Sequence, residues 1–213
     1  MQIRPIIIDS NFKQEDLINN CYEFYMNVWQ STWDELNVNG VGIHDDFHRF
    51  KTKLAFMLDG KPVAFHGYSE FNLKLLSDRN HTYFKKLQAP VVDKLLEKGL
   101  YKIATTEYMC VHKDFRKISN HYLGEILGGF SAQYFRNTDY DAMMTVARND
   151  RSVNKMCKMY GAYPVYEKLP LNNVDVDIMV FEPKNIKDNL NPEIQSFINN
   201  LFNTLNPQIG VAA

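Results

Sequence analysis

Two neighbouring stretches of the sequence carry side chains suited to chemistry. Glu107 lies in an otherwise apolar segment, TTEYMCV, where a carboxylate could accept a proton directly or through water. The charged turn that follows, HKDFRKISN, places Arg116 and Lys117 just before a helical pattern. The first N–H groups of a helix are unpaired and its dipole is positive at that end, so such a turn is suited to bind phosphate. Further donors in this turn are Ser119, Asn120 and His121.

Two other groups of polar residues lie upstream of Glu107. His66, Tyr68 and Glu70 share one face of a predicted strand, because side chains on a strand alternate with a period of two. The run HDDFH at 44–48 fits neither the spacing of HExxH nor that of a His/Cys cluster. No metal site is predicted, and a solvated loop is the favoured interpretation of this run, with contact to a substrate left open.

Length and composition set the broad class. The chain has 213 residues, 45% of them hydrophobic, and a formal charge of −1, which fits one domain with a small appendage. So small a net charge gives no electrostatic case for nucleic acid or for an anionic membrane. The three cysteines lack zinc-ligand spacing, and the apolar run Ile6–Ile8 is too short for a signal peptide or a membrane span. These features predict a reduced, cytoplasmic protein without stable membrane insertion.

Hydrophobic periodicity and turn signals predict a mixed α/β domain. Asp59-Gly60 between two strand-forming runs is a strong hairpin signal. The predicted strands cover 53–58, 62–71, 101–111, 141–147, 163–168 and 174–182. The predicted helices cover 14–30, two parts of 77–98, 120–136 with Ser119 as its cap, 151–160 and 192–205.

The segment from Thr106 to Gly161 resembles the Gcn5-related N-acetyltransferases. Val111–Arg116 is similar to the family motif V-x-P-x-[YF]-R, and Asn149–Ser152 is similar to N-x-x-[AS] on a late helix that ends here in Gly161-Ala162. The resemblance implies a mostly antiparallel central sheet flanked by helices, with two splayed central strands. It places an acyltransferase domain at 1–188 and a helical tail at 189–213, packed on the domain or partly disordered.

The resemblance also implies roles for individual residues. The donor would be a pantetheine thioester, held by the backbone amides of Met109, Cys110 and Val111. Its phosphate would lie at Arg116, Lys117, Ser119, Asn120 and His121, and Asn149 and Ser152 would add donor contacts. Glu107 would be the base, and Tyr160 or Cys157 would protonate the leaving sulfur. A packing role for Tyr160 remains an alternative. His66, Tyr68 and Glu70 would lie on the acceptor side, although a lone histidine in a strand is more often structural.

The sequence departs from the family at the phosphate loop. The usual pattern R-x-x-G-x-G/A has glycines where this chain has Ser119 and His121. Loss of both glycines favours an acyl carrier protein donor, with one phosphate and no adenosine, over coenzyme A (CoA). In this respect the chain resembles the autoinducer synthases and N-acyl amino acid synthases. A set of six basic residues, called the basic group, could bind an acidic carrier protein or could be solvated surface. It comprises Arg116, Lys117, Arg148, Arg151, Lys155 and Lys158.

The predicted activity is therefore N-acyl transfer from acyl carrier protein or acyl-CoA, as a co-substrate, to the amine of an amino acid or another small amine. No tightly bound cofactor and no nucleic acid are expected. Two alternatives remain open: an ordinary acetyl-CoA-dependent N-acetyltransferase, and a non-catalytic module that binds an acyl thioester and regulates a partner.

Overall fold

The protein is built on one seven-stranded sheet. The structure, a computed structural model, describes residues 3–38, 44–87, 89–118 and 120–205, apart from the side chains of residues 44 and 45. The strands are β1 (Arg4–Ile8), β2 (Thr52–Leu58), β3 (Lys61–Asn72), β4 (Lys102–Val111), β5 (Lys117–Ile118), β6 (His121–Tyr122), β7 (Ala142–Arg148), β8 (Tyr163–Leu171) and β9 (Val174–Phe181). The sheet order is β1-β2-β3-β4-β7-β9-β8, and β5 and β6 form a separate hairpin.

Helices cover both faces of the sheet. They are α1 (Glu15–Glu35), α2 (His44–Arg49), α3 (Leu76–Arg79), α4 (Thr82–Lys85), α5 (Val91–Glu97), α6 (Leu123–Arg136), α7 (Val153–Met159) and α8 (Pro192–Leu205). Apolar residues of α1, α2, α4 and α5 pack on one face, and those of α6, α7 and α8 pack on the other. Along the described residues, no helix has both the length and the apolar character needed to cross a membrane.

The hairpin that joins β2 to β3 forms as predicted. Asp59 and Gly60 both have positive φ, at 49° and 78°. A two-residue turn of this kind requires positive φ at both positions, which Asp and Gly tolerate. The two strands then pair in antiparallel register from Leu58↔Lys61 to Thr52↔Tyr68.

The two central strands separate halfway along their length. β4 and β7 are the one parallel pair of the sheet, and their pairing runs from Ile103↔Ala142 to Thr106↔Thr145. Beyond that point β4 continues to Val111 and stays paired with β3, while β7 continues to Arg148 and stays paired with β9. A gap therefore opens between the carboxyl halves of β4 and β7, and the predicted splayed strands are confirmed.

A β-bulge lies at the start of this gap. Gly67↔Glu107 and Phe65↔Cys110 are successive pairs, so β4 contains one residue more than β3 between them, and Tyr108 has φ 54°. The bulge changes the alternation of side chains. Glu107 and Tyr108, which are consecutive, consequently both project towards the α1–α2 face.

Several elements differ from the sequence prediction. β1 was not predicted; it is a five-residue edge strand that pairs with β2. The region 77–98 folds as three short helices. The predicted helix at 120–136 begins at Leu123, with Tyr122 rather than Ser119 as its N-cap residue, because the β5–β6 hairpin occupies the preceding residues. α8 has the predicted bounds and packs on α6 and β1; the domain division at 188 stays a prediction.

Candidate active site

A cavity of about 560 Å³ adjoins the gap between β4 and β7, and we call it the Glu107 cavity. Thr106, Glu107 and Tyr108 line it from β4, and Val146 and Arg148 line it from β7. Its polar and aromatic wall comes from α1, α2 and the α4 region, with Trp29, Trp33, Asp46, Arg49, Tyr83 and Lys86. Its aliphatic wall contains Leu87, Val146, Leu171, Val174 and Val176. The cavity thus connects the gap to the α1–α2 face.

Glu107 is buried in this cavity and is held by two neighbours. The Arg49 guanidinium donates one N–H to each carboxylate oxygen, at 2.8 Å to Oε1 and 2.6 Å to Oε2. The Thr105 hydroxyl donates to Oε1 at 2.6 Å. A carboxylate can accept about four hydrogen bonds, so Oε2 retains a lone pair for a ligand. The carboxylate is therefore fixed in orientation at the mouth of the gap.

Arg49 links Glu107 to a second acid. Its guanidinium also donates to Asp46 Oδ1 at 3.0 Å and to Ser69 Oγ at 2.8 Å. The Tyr108 hydroxyl donates to the other oxygen of Asp46. Burial opposes the charge of Arg49, but the hydrogen bonds and charges of Glu107 and Asp46 outweigh it and raise the pKa of the guanidinium. We call Asp46, Arg49 and Glu107 the acid–arginine cluster.

Three polar atoms of the cavity lining are buried without a hydrogen-bond partner in the described part of the chain. They are Trp33 Nε1, Tyr83 Oη and Thr106 Oγ1. Trp29 Nε1 also lacks a partner by the same geometric test, but it lies near the Cys110 thiol. Burial raises the pKa of that thiol, and the interaction with Trp29 offsets part of the increase. Buried polar groups in native proteins are nearly always paired, so the unpartnered atoms of Trp33 and Tyr83 are unusual features of the residues around this cavity. Thr106 pairs with Tyr68, so its side chain lies on the α6 face of the sheet.

Of the three backbone amides predicted to bind the donor, that of Val111 faces the gap. The N–H of His112 donates to the Val63 carbonyl at 2.9 Å, on the β3 side. Because successive N–H groups on a strand alternate in direction, the N–H of Val111 is directed to the other side, towards the gap. The first turn of α6 lies close by: a Cβ added to Gly124 would be 3.7 Å from Val111 and 3.9 Å from Met109. Cys110 projects into the aromatic core beneath α1.

The predicted phosphate loop is a small hairpin. β5 and β6 pair through Lys117↔Tyr122 and Ile118↔His121, and the N–H of Leu123 donates to the Arg116 carbonyl at 2.9 Å. Asn120 is exposed with φ 67°, and His121 Nε2 lies 3.3 Å from Glu193 of α8. Ser119 is outside the described residues. The hairpin uses one of the helix N–H groups that the sequence assigned to phosphate.

Half of the predicted basic group is neutralised by the protein itself. Arg148 pairs with Asp150 at 2.6 Å, Arg151 pairs with Glu35, and Lys158 pairs with Glu167 at 3.1 Å. Lys117 lies over the Tyr122 ring at 4.7 Å. Among the described residues, Arg116, Lys117 and Lys155 have no ion pair. The unpaired basic surface that could bind a carrier protein is therefore smaller than the sequence suggests.

Tyr160 and Cys157, the predicted acids for the leaving sulfur, are core residues. The Tyr160 hydroxyl donates to the Glu125 carbonyl at 3.0 Å and accepts from Asn189 Nδ2 at 2.7 Å. Burial raises the pKa of Tyr160 to about 12 and that of the Cys157 thiol to about 12. Neither side chain lines the Glu107 cavity. Their contacts favour a packing role over a role in proton transfer.

Asn149 and Ser152 lie in the turn after β7. Asn149 Nδ2 donates to Asp177 at 2.9 Å, while its Oδ1 is buried without a partner in the described regions. Ser152 has φ 56° and precedes α7, but its side chain makes no capping hydrogen bond. The free oxygen of Asn149 could accept from an amide N–H of a ligand that enters the gap.

The structure corrects the placement of His66, Tyr68 and Glu70. They lie on the α6 side of β3, whereas the Glu107 cavity lies on the α1–α2 side. His66 Nδ1 is 2.8 Å from Ser131 Oγ, to which Tyr68 also donates at 2.8 Å. Burial lowers the pKa of His66 to about 3. Glu70 pairs with Lys51. The sequence places these side chains on one face but gives no means to decide which face, because β3 is buried on both.

Asp46 and Arg49 are the functional candidates that the sequence interpretation missed. The run at 44–48 was assigned to a solvated loop, but it forms α2. Phe47 and Phe50 are buried at 3% and 2% exposure and anchor this helix on the sheet. Gly67 of β3 makes room for it, because any Cβ there would overlap the Phe50 ring. The spacing of Asp46 and Arg49, three residues apart, is the signal that could have indicated one helix face.

Comparison with known proteins supports the fold. No protein-family model and no curated protein matches the sequence. Among solved structures, the AHL synthase LasI matches with a TM-score of 0.58 and 13% identity over 85% of this chain and 90% of its own. FeeM, an N-acyl amino acid synthase from uncultured soil microbes, matches with a TM-score of 0.54 and 11% identity over 84% and 88%.

A third match comes from an acetyltransferase. Mosquito arylalkylamine N-acetyltransferase like 5b has a TM-score of 0.60 and 13% identity over 85% of this chain and 100% of its own. Each of the three matches extends over more than four fifths of both chains. The predicted fold is thereby confirmed, and the chain has the fold of the Gcn5-related N-acetyltransferases.

Proposed function

We propose that this protein is an N-acyltransferase that moves an acyl group from a pantetheine thioester to the amine of an amino acid or another small amine. The observation that carries the proposal is the gap between β4 and β7, which opens directly onto the Glu107 cavity. A gap alone would accept an extended ligand by strand addition. A gap that ends at a buried carboxylate also supplies a place for reaction.

The donor would lie along the open edge of β4. The N–H of Val111 would pair with the pantetheine arm, and the free Asn149 Oδ1 would accept from one of its amides. The thioester would then lie near Thr106, where the pairing of β4 with β7 ends.

The acceptor would enter from the α1–α2 face. Its ammonium would donate to the free lone pair of Glu107 Oε2 and lose one proton to solvent to become a neutral amine. The amine nitrogen then forms a bond to the thioester carbon, and its second proton moves to Glu107. Arg49 and Thr105 are positioning residues in this step, because they hold the carboxylate without contacting the reacting atoms.

Collapse of the tetrahedral intermediate breaks the bond between carbon and sulfur. The thiolate leaves along the gap and takes a proton from solvent, while Glu107 returns its proton to solvent. The products are an amide and a free thiol. Tyr160 takes no part, because its hydroxyl is occupied by Glu125 and Asn189.

For the donor, we propose a carrier-protein thioester ahead of acyl-CoA. The β5–β6 hairpin replaces the glycine loop that would close on a pyrophosphate, and Glu193 adds negative charge beside His121. A single phosphate requires fewer backbone N–H groups than a pyrophosphate. Arg116 and Lys117, both exposed, remain available to bind it.

The test is a turnover assay with matched donors. Octanoyl carrier protein, octanoyl-CoA and acetyl-CoA would each be incubated with a panel of amines, and both free thiol and amide product would be measured. Amine-dependent thiol release with at least one donor is expected, and it should be lost in Glu107→Gln while donor binding is kept. Donor binding without turnover for any amine would instead support a regulatory thioester-binding module.

A further inference from the structure

One wall of the Glu107 cavity is built on a very short helix. Thr82, Tyr83, Lys86 and Leu87 line the cavity from α4 and the two residues that follow it, and we call these four residues the α4 wall. α4 itself spans only Thr82–Lys85. A helix of one turn is not stable by intrinsic propensity, so its cap and its packing must hold it in place.

The N-cap of α4 is a histidine side chain. His81 has an extended backbone, with φ −62° and ψ 142°, and its Nδ1 accepts a hydrogen bond from the backbone N–H of Tyr83 at 3.1 Å. A backbone N–H can only donate, so Nδ1 must carry a lone pair and the ring proton must be on Nε2. The common N-cap residues serine, threonine and asparagine keep their acceptor oxygen at every pH, whereas histidine loses its acceptor on protonation. The cap therefore exists only while the ring is neutral.

Tyr83 connects this cap to the acid–arginine cluster. The centre of its ring lies 5.4 Å from the guanidinium carbon of Arg49. Phe71 of β3 packs against both neighbours, because the centre of its ring lies 5.1 Å from that of His81 and 5.7 Å from that of Tyr83. A change at the His81 ring can thus reach Arg49 through one intervening residue.

The charged groups around the His81 ring act in both directions. Burial is the main cause that lowers its pKa below the ordinary value of 6.5, and the charge of Arg49 adds to that effect. Three acids oppose it: Asp78 of α3, Asp46 of α2 and Glu107 of β4. Because the pKa in the folded protein stays below 6.5, the contribution of the cap to stability is fully present above pH 6.5. That contribution is lost as the pH falls through the lower value of the folded protein.

The position of the α4 wall therefore depends on the charge of one ring. A proton taken from solvent at Nδ1 removes the acceptor of the Tyr83 N–H and adds a positive charge on the side of Arg49. We infer that His81 is a positioning residue of the Glu107 cavity, whose neutral ring holds the α4 wall against Arg49 and whose protonated ring releases it. The consequence for turnover rests on the proposed function, whereas the consequence for the wall does not.

NMR of the full chain, without any ligand, tests the inference at the cap itself. At about pH 7.5 the His81 ring should be the tautomer with its proton on Nε2. Between about pH 7.5 and about pH 4.5, protection of the Tyr83 amide from hydrogen exchange should fall by roughly 5-fold, once corrected for the intrinsic pH dependence of exchange. That factor corresponds to about 1 kcal/mol, the typical effect of losing an N-cap.

Three variants separate the cap from other effects of acid. His81→Asn should remove the pH dependence, because asparagine is a good N-cap whose amide oxygen does not titrate. His81→Ala should reduce protection of the Tyr83 amide at both pH values. His112→Asn is the matched control and should leave the response of Tyr83 unchanged. His112 Nδ1 accepts from the N–H of Asp114, also two residues on, at 3.2 Å, but His112 lies outside the cavity lining.

Tryptophan emission reports whether the wall moves with the cap. Trp29 and Trp33 are the two tryptophans of the chain, and both line the cavity. Acidification should change their emission in the unaltered protein and should change it less in His81→Asn. Equal changes in the two proteins would contradict release of the wall.

The remaining outcomes separate this inference from the proposed function. A ring proton on Nδ1 at neutral pH, or an equal loss of Tyr83 protection in the unaltered protein and in His81→Asn, would overturn the inference. If a thioester donor is consumed and acid reduces turnover equally in both proteins, the positioning role fails while the proposed function stands. If His81→Asn removes the response of Tyr83 but no donor is ever consumed, the inference about the wall stands and the proposed function fails.

Discussion

Two buried polar clusters lie on opposite faces of the same strand, β3. On the α6 face, His66, Ser131 and Tyr68 form a closed group in which each side chain is hydrogen-bonded. On the α2 face, the acid–arginine cluster borders a cavity and stands beside donors without partners. Both clusters are well buried, so burial of polar residues alone does not identify a site. Unpaired groups and open space beside such residues make the α2 face the candidate site.

The two clusters also differ in charge. The cluster of His66, Ser131 and Tyr68 holds only neutral groups, because burial keeps His66 uncharged. The α2 face holds two acids and one guanidinium in contact, which stays stable only if every charge keeps its partner. The first arrangement therefore contributes to folding, and under the proposed function the second also takes part in the reaction. Four predictions, from the largest expected effect to the smallest, test this distinction.

The largest effect is expected from Glu107→Gln. The amide keeps the size of the side chain and can still interact with Arg49, but it cannot accept the proton of the amine. Turnover should fall by roughly 10²- to 10⁴-fold, the range typical of a lost general base. The matched control is Glu70→Gln, which changes an acid on the other face of β3 and should leave turnover close to that of the unaltered protein. A large loss in both variants would contradict the assignment.

Arg49→Met should be the most destabilising change. It leaves Glu107 and Asp46 buried with no compensating cation, and removal of one partner of a buried pair costs about 3 kcal/mol or more. Urea unfolding at pH 7 measures the loss. The double variant with Glu107→Gln should recover part of it, because one uncompensated charge is then removed. If the single and double variants are equally unstable, the two residues are not coupled.

His66 should make stability depend on pH. Its pKa in the folded protein is about 3 and its ordinary value is 6.5, so the unfolded chain binds more protons between these values. The contribution of His66 to the free energy of unfolding is fully present above pH 6.5, and it is lost as the pH falls towards 3. Between pH 6.5 and 4.5 the loss should be about 2 kcal/mol.

Comparison with His66→Gln isolates this effect, since all other titrating groups are common to both proteins. Between pH 6.5 and pH 4.5, the free energy of unfolding should fall less in the variant than in the unaltered protein. Identical falls would mean that His66 is not held in its neutral form.

The smallest effects are expected when either of two buried serines, Ser131 or Ser69, is replaced by alanine. Ser131→Ala leaves His66 and Tyr68 without their common partner and should cost about 1–2 kcal/mol of stability, with turnover unchanged. Ser69→Ala removes a partner of Arg49 on the other face, so it should reduce turnover as well. A loss of turnover in Ser131→Ala would show that the α6 face contributes to the reaction.

Much of the fold could be predicted from local sequence signals. Asp59-Gly60 specified the hairpin of β2 and β3, and periodicity specified α1, α6 and α8. β1 was missed because a five-residue edge strand leaves no periodic pattern. The parallel pairing of β4 with β7 depends on contacts distant in sequence, so no local signal indicates it; only the family resemblance predicted the splay.

The site was less predictable than the fold. Glu107 stands out as an acid among apolar residues, and the structure places it in the cavity. Its neighbour Tyr108 could not be assigned to the same face, because the bulge requires positive φ at a residue type that seldom adopts it. Arg49 comes from a segment whose polar composition resembles a loop. Tertiary packing of Phe47 and Phe50, rather than intrinsic propensity, makes that segment a helix.

Binding of the pantetheine arm at the gap is the central claim, and amide hydrogen exchange tests it most directly. Exchange would be followed residue by residue by NMR, with CoA and pantetheine as probes, and binding would be verified by calorimetry. We expect the amide of Val111 to become protected on binding, while the amide of His112, already paired with Val63, changes little. Bound probe with unchanged exchange at Val111 would contradict the claim.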